Sequence, residues 1–97
     1  MPESKKEVFV VVRCYGAGVH VGTLVNQDLK TVILKDARRL WRWRGANTLH
    51  EVALHGVSDE YTRLSEPVAR ITLSDAIEVI PTTHEASVNL QRSRWAQ

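Results

Sequence analysis

The stretch from Ala37 to Gly45, ARRLWRWRG, holds four arginines and two of the chain's three tryptophans. Arginine brings a planar fork that grips phosphate or carboxylate through paired hydrogen bonds, and a flat face that stacks on rings. Tryptophan beside it offers a platform for a base. Such a segment suits an anionic nucleotide-like ligand, a short oligonucleotide or an acidic protein surface. Alternate residues of a strand share a face, so Arg39, Trp41 and Trp43 fall on one side and Arg38, Leu40, Arg42 and Arg44 on the other. The expectation is an indole side that anchors the fold and an arginine side free to bind. The sequence leaves open which side is buried. If the tryptophans simply pack inward, the arginines still serve as a charged edge that discourages strand-to-strand association.

A second group lies upstream. Tyr15-Gly16-Ala17-Gly18 follows a β-rich run, but it lacks the third glycine of a dinucleotide loop and the lysine of a phosphate loop, and a strand follows it. Its simplest role is a tight turn. Backbone amides in such a turn can also form a small anion-binding nest, and Arg13 and His20 flank it. The candidate ligand contacts are therefore Arg38, Arg39, Trp41, Arg42, Trp43 and Arg44, with Arg13, Tyr15, Gly16, Gly18 and His20 as a secondary set.

Catalytic and metal chemistry find less support. His50-Glu51-Val52-Ala53-Leu54-His55 resembles a zinc-protease helix but is one residue too long, and its two imidazoles would point roughly 140° apart. The carboxylates Asp28, Asp36, Asp59, Asp75 and Glu78 show no spacing that marks an acid/base pair. A single cysteine, Cys14, excludes an internal disulfide and a cysteine-based zinc cage, and reads as a small core residue. No catalytic residue, metal or cofactor is expected, and the chain is not expected to be an enzyme.

Charge is segregated. The formal net charge is only +2, yet residues 35 to 44 carry Lys35, Arg38, Arg39, Arg42 and Arg44 against Asp36 alone, and Arg92 and Arg94 follow near the end. Setting these aside leaves six basic and ten acidic residues, a remainder of −4. A local patch favours a compact anion over a long polyanion, whose binding draws on many phosphate contacts.

These residues must be positioned by a mostly β framework. Glu7 to Cys14 is β-branched and apolar on both faces, as in a central strand. Val19 to Val25 alternates, with His20 and Gly22 on one face and Val19, Val21 and Thr23 on the other. Asn26-Gln27-Asp28 suits a turn into a strand from Thr31 to Lys35, and Lys35-Asp36-Ala37 a second turn into a fourth strand from Arg38 to Arg44. Thr48-Leu49-His50-Glu51 fits a capping box, with Gly56 closing a short helix. A polar loop from Val57 to Pro67 precedes two more strands, Val68 to Leu73 and Ala76 to Ile80, around Ser74-Asp75. Thr82-Thr83-His84-Glu85 is a second capping box. It opens a C-terminal helix in which Ala86 and Leu90, and separately Val88 and Trp95, share stripes.

The fold class this predicts is α+β: about six short strands in a mostly antiparallel sheet or partial barrel, one inserted helix and one C-terminal helix. Residues 1–97 make one small domain, and its modest core makes homo-oligomerisation an expectation. Hydrophobic residues at 43% and charged ones at 25% suit a folded chain and argue against extensive disorder. The longest apolar run, Val8 to Val12, is too short to span a bilayer, and Met1 to Lys6 lacks the apolar core of a signal peptide. A cytoplasmic location, without membrane association, is expected.

The order VVRCYGAGVHVGTL, VILKDARRLWRWRGANTLHEVALHGV and ITLSDAIEVIPTTHEA resembles a family of small uncharacterised proteins encoded by bacteriophages and prophages. The likeness spans nearly the whole chain. It is most specific at Ala17-Gly18-Val19, Ala37-Arg38-Arg39 with Trp41 and Trp43, Gly45-Ala46 and Ile80-Pro81, and it thins from Ser58 to Glu66 and after Leu90. The resemblance transfers no activity and gives no residue a catalytic role. It implies a setting in which small proteins act by binding host proteins, nucleic acid or the nucleotide signals of antiviral defence. Two readings follow: capture of a nucleotide-like ligand or oligonucleotide, sequestering a host defence signal, or docking on an acidic host protein as an inhibitor.

Overall fold

The computed structural model describes residues 7–43, 48–58 and 62–92. Its elements are β1 (Phe9–Cys14), β2 (Gly18–Asp28), β3 (Thr31–Arg42), α1 (Leu49–His55), β4 (Arg63–Leu64), β5 (Val68–Leu73), β6 (Ala76–Pro81) and α2 (His84–Arg92). This is the expected small α+β fold. Every strand pairing is antiparallel, in the order β4-β3-β2-β1-β6, with β5 also on β3. Among the described residues no helix is long and apolar enough to cross a membrane.

The sheet has to curl. β5 lies beside β3 and β6 beside β1, yet only Ser74 and Asp75 separate them in sequence. In a flat sheet they would stand four strand spacings apart, about 19 Å, whereas that short link reaches only about 10 Å. Turn-to-turn bonds hold the curl: the Tyr15 amide donates to the Asp75 carbonyl at 3.0 Å, and the Ala76 amide to that of Lys30 at 3.0 Å.

Both faces of β1 are buried, as its uninterrupted apolar run predicts. Val10, Val12 and Cys14 join Val32, Leu34, Ala37, Leu73 and Ala76 inside the curl. Phe9 and Val11 face the other way and join Val21, Leu40, Leu64, the α1 residues Val52 and Ala53, and Leu90 of α2. The helices thus cover the outer face of the sheet, and Cys14 is the buried core residue its position implied.

The central hairpin differs from expectation. Asn26-Gln27-Asp28 belongs to β2, and the chain turns at Leu29-Lys30, with Leu29 at φ 55°. The two strands expected on either side of Lys35-Asp36-Ala37 are one, β3, and that segment is a bulge. Val21 pairs with Arg38 and Thr23 with Lys35, so Gly22 alone faces both Asp36 and Ala37. Asp36 adopts φ 51°, a left-handed conformation that aspartate tolerates better than most residues. A turn and a bulge draw on the same residue types, which is why the sequence pattern did not separate them.

The bulge changes which face each side chain meets. Leu34 lies in the interior cluster and Leu40, six residues on, in the helix-facing one, although an unbroken strand would put both on one side. Gly22 makes this crossing possible: a Cβ there would sit 3.1 Å from the Ala37 Cα and 3.2 Å from the Leu34 Cβ.

The helix ends follow the capping rules with one shift. Thr48 accepts from the Glu51 amide at 3.2 Å, and the Gly56 amide closes α1 on the Val52 carbonyl. Thr83, not Thr82, accepts from the Ala86 amide at 3.1 Å, because the Thr82 hydroxyl donates to the Phe9 carbonyl at 2.7 Å. Ala86 and Leu90 are buried as expected; Val88 is exposed, and its proposed partner Trp95 lies outside the described residues. The expected loop before β5 contains the two-residue strand β4.

Replacing Gly22 by valine should lower folding stability by about 2 kcal/mol or more, since branched atoms would enter a space already filled by backbone. Urea unfolding of Gly22→Val tests this, and unchanged stability would mean that β2 does not approach the bulge so closely.

Candidate anion-binding site

The two arginines of the Arg38-Arg39 pair face opposite ways. Val21 pairs with Arg38 and His20 with Arg39. Past the bulge, Arg38 and Leu40 therefore turn toward the helices, and Arg39 and Trp41 turn away. This reverses the expected arrangement of a free Arg38 side and an anchoring indole side. Arg38 is only 5% exposed, while Trp41 is 52% exposed. Trp43 alone behaves as an anchor, half-buried against the helix-facing cluster. The Arg42 side chain and Arg44 lie outside the described residues.

Arg38 is occupied by backbone. Its Nε donates to the Ser65 carbonyl at 2.9 Å, and its Nη1 to the carbonyls of Leu90 at 3.1 Å and Gln91 at 3.3 Å. The last two belong to the final turn of α2, whose carbonyls have no partner within the helix and carry the negative end of its dipole. Burial lowers the guanidinium's pKa from its ordinary value, but arginine stays charged. Sequence reasoning placed Arg38 at a ligand; the structure places it between β3, the segment after β4 and α2.

Arg39 is placed quite differently. Its backbone is fixed by Ser65, whose hydroxyl accepts from the Arg39 amide at 2.8 Å and whose own amide donates to the Arg39 carbonyl at 3.0 Å. Its exposed side chain lies across Gly18, where an added Cβ would stand 3.3 Å from a guanidinium nitrogen. Gly18 has φ 84°, so glycine here serves both the turn and the close approach. Among the described residues no carboxylate pairs with Arg39.

Next to that guanidinium is a pocket of about 270 Å³ lined by His20, Ala37, Arg39, Ser65, Val68 and Ile71. It sits where β3 changes partner from β5, at Ala37 opposite Val68, to β4, at Leu40 opposite Leu64. His20 is 6% exposed, and its Nε2 lies 3.0 Å from the Ala17 carbonyl. Burial, and to a lesser degree the charge of Arg39, holds its pKa below the usual histidine value despite the hydrogen bond to Ala17. The ring is therefore neutral near pH 7.

The fold thus brings together Arg39, His20 and Gly18, with Trp41 at the next outward position of β3. It does not bring in the rest. Arg13 does not flank the turn with His20, because successive positions of β1 and β2 put it on the opposite face. There it pairs with Glu78 at 3.8 Å and lines a separate recess of about 390 Å³ with Trp43, Leu49 and His50. Tyr15 is 83% exposed at the turn tip, and Gly16 has open space around it. Ser65, Val68 and Ile71 went unnoticed in the sequence. The strand from Val68 to Leu73 was expected, but nothing local marked its residues as pocket lining or Ser65 as a partner of Arg39.

Residues 7–90 match the family described as Domain of unknown function (DUF6948), and the chain belongs to that family. No curated protein and no solved structure matches the chain.

The His20 ring gives the site a pH signature. Its folded pKa lies below the unfolded value of 6.5, so the unfolded chain takes up the proton first on acidification. The contribution of His20 to stability is complete above about pH 6.5 and is lost as pH falls below it. Urea unfolding at pH 7.5 and 5.5 should show this loss, with a flatter dependence in His20→Gln. A histidine variant as pH-sensitive as the parent would show that the ring is not held neutral.

Proposed function

We propose that this member of the family binds an anionic, nucleotide-like ligand without transforming it, in the pocket beside Arg39 and His20. The observation that carries this reading is the Arg39 guanidinium: exposed, without a carboxylate partner among the described residues, and laid over Gly18 at the edge of a pocket with apolar walls. A fork in that position can grip a phosphate or a polarised carbonyl oxygen. Trp41 supplies an indole face for a ring that leaves the pocket.

Binding without reaction fits the chemistry of the lining. The lining offers no carboxylate among the described residues, and its one hydroxyl, that of Ser65, is engaged with the Arg39 amide and the Glu66 carbonyl rather than with His20. In a bacteriophage or prophage, a binder of this kind acts by stoichiometry, removing a nucleotide signal of host antiviral defence or shielding a short nucleic acid. A homo-oligomer would multiply the sites carried by each assembly.

A second reading keeps the same face and changes the partner. Arg39 and Trp41 are residue types that dominate protein interfaces, and both are exposed. An acidic surface on a host protein would find a cationic, aromatic patch here.

Calorimetry and thermal shifts with mononucleotides, cyclic oligonucleotides and single-stranded DNA separate the two readings. The nucleotide reading predicts that at least one ligand raises the melting temperature. It also predicts that Arg39→Ala weakens that ligand by about tenfold or more while leaving the unliganded protein about as stable. Silence across the panel from a well-folded sample would discard nucleotide capture and leave the docking reading.

A further inference from the structure

The pocket's polar groups are few enough to say which part of a nucleotide it accepts. The Ala17 carbonyl can only accept a hydrogen bond, so the proton on the neutral His20 ring sits on Nε2 and leaves Nδ1 as a bare acceptor. No hydrogen bond reaches Nδ1 among the described residues, and no side-chain nitrogen or oxygen is both sealed from solvent and unbonded. Nδ1 therefore keeps some accessible surface, on a ring that is only 6% exposed and lines the pocket. Directly across the β2–β3 ladder, Arg39 supplies N–H donors.

The remaining lining gives little to a phosphate. Ala37, Val68 and Ile71 are apolar, and the Ser65 hydroxyl is already engaged, accepting from the Arg39 amide and donating to the Glu66 carbonyl at 3.0 Å. A phosphate seated inside would meet one cationic side chain, apolar walls and an acceptor lone pair that repels it. A flat heterocycle meets matching groups: its faces against Val68 and Ile71, an N–H on His20 Nδ1, and an adjacent ring nitrogen or carbonyl oxygen on Arg39. About 270 Å³ is room enough for a ring of nucleobase size.

We infer that the pocket is a base-recognition site, in which His20 accepts from, and Arg39 donates to, the adjacent donor and acceptor edge of a nucleobase. This rests on the nucleotide reading and adds to it: the group selected is the heterocycle, with the phosphate at the rim. Arg39 is the charged group acting on the ring; β1 presents Val12 opposite it, and Ser65 approaches from the segment before β5.

The test uses calorimetric titration of the full chain with the common ribonucleosides, ribose 5-phosphate and inorganic phosphate, at pH 7.5 and pH 5. At least one nucleoside should bind, and ribose 5-phosphate and inorganic phosphate should be weaker by about tenfold or more. Protonation turns Nδ1 from acceptor to donor, so nucleoside binding should weaken on acidification as His20 takes up its proton, while any phosphate binding strengthens. His20→Leu should remove the preference for the nucleoside, and His20→Gln, which keeps an acceptor oxygen, should retain part of it. The pH comparison stands even if either variant fails to fold. Ribose 5-phosphate or phosphate binding as tightly as every nucleoside would overturn base recognition while leaving nucleotide capture intact, as would nucleoside binding that strengthens on acidification. No binding by any compound would overturn both.

Discussion

One buried guanidinium holds three parts of this molecule in register. Arg38 reaches from β3 to the carbonyl of Ser65 and to the last carbonyls of α2. A lone buried cation is costly by several kcal/mol, and among the described residues no carboxylate pairs with this one. Three backbone carbonyls and the negative end of a helix dipole offset that cost. The same contacts fix the end of α2, whose Leu90 packs under the sheet, and the path of the chain from β4 to β5. Because neighbouring residues of a strand point to opposite sides, a helix-facing Arg38 compels Arg39 onto the other face of the sheet, beside His20, where it is exposed. The candidate site is the other side of a structural clamp.

That arrangement depends on a change of phase within β3. Before Asp36 the strand turns Val32 and Leu34 into the interior of the curl; after Ala37 it turns Arg38 and Leu40 to the helices. The extra residue costs a left-handed backbone at Asp36 and requires glycine at position 22, where a side chain would meet Ala37 and Leu34. In return, one strand serves two layers. Its first half closes the interior with β5, and its second half carries the helix-facing core and leaves Arg39 and Trp41 exposed on the face away from the helices. The pocket lies at the seam between the halves, where β3 has left β5 and begins to pair with β4.

Much of the framework was legible in local pattern. The two-faced apolar run of β1, the Thr48 cap with Gly56 behind it, the glycine turn and the two strands around Ser74-Asp75 all follow from residue types within a few positions. Long-range features were not. Asp36 favours a turn and a bulge alike, and only the approach of Gly22 decides between them. Thr82 and Thr83 can both cap α2, and the choice falls to Thr83 because the Phe9 carbonyl takes the Thr82 hydroxyl. Of the arginines in ARRLWRWRG, the sequence showed that they divide between two faces. The bulge and the α2 carbonyls determine which face is free, and neither is visible from within the stretch. Ser65 and Val68 reach the pocket through pairings with β3 that no nearby residue announces.

The division of labour between the two adjacent arginines is the central claim, and their side-chain N–H signals report on it directly. In a nitrogen-15 labelled sample titrated with a bound nucleotide or nucleoside, the Nε–H of Arg38 should exchange slowly with water and stay in place, while that of Arg39 should exchange quickly and shift with the ligand. A shifting, rapidly exchanging Arg38 beside an unmoved Arg39 would contradict the account.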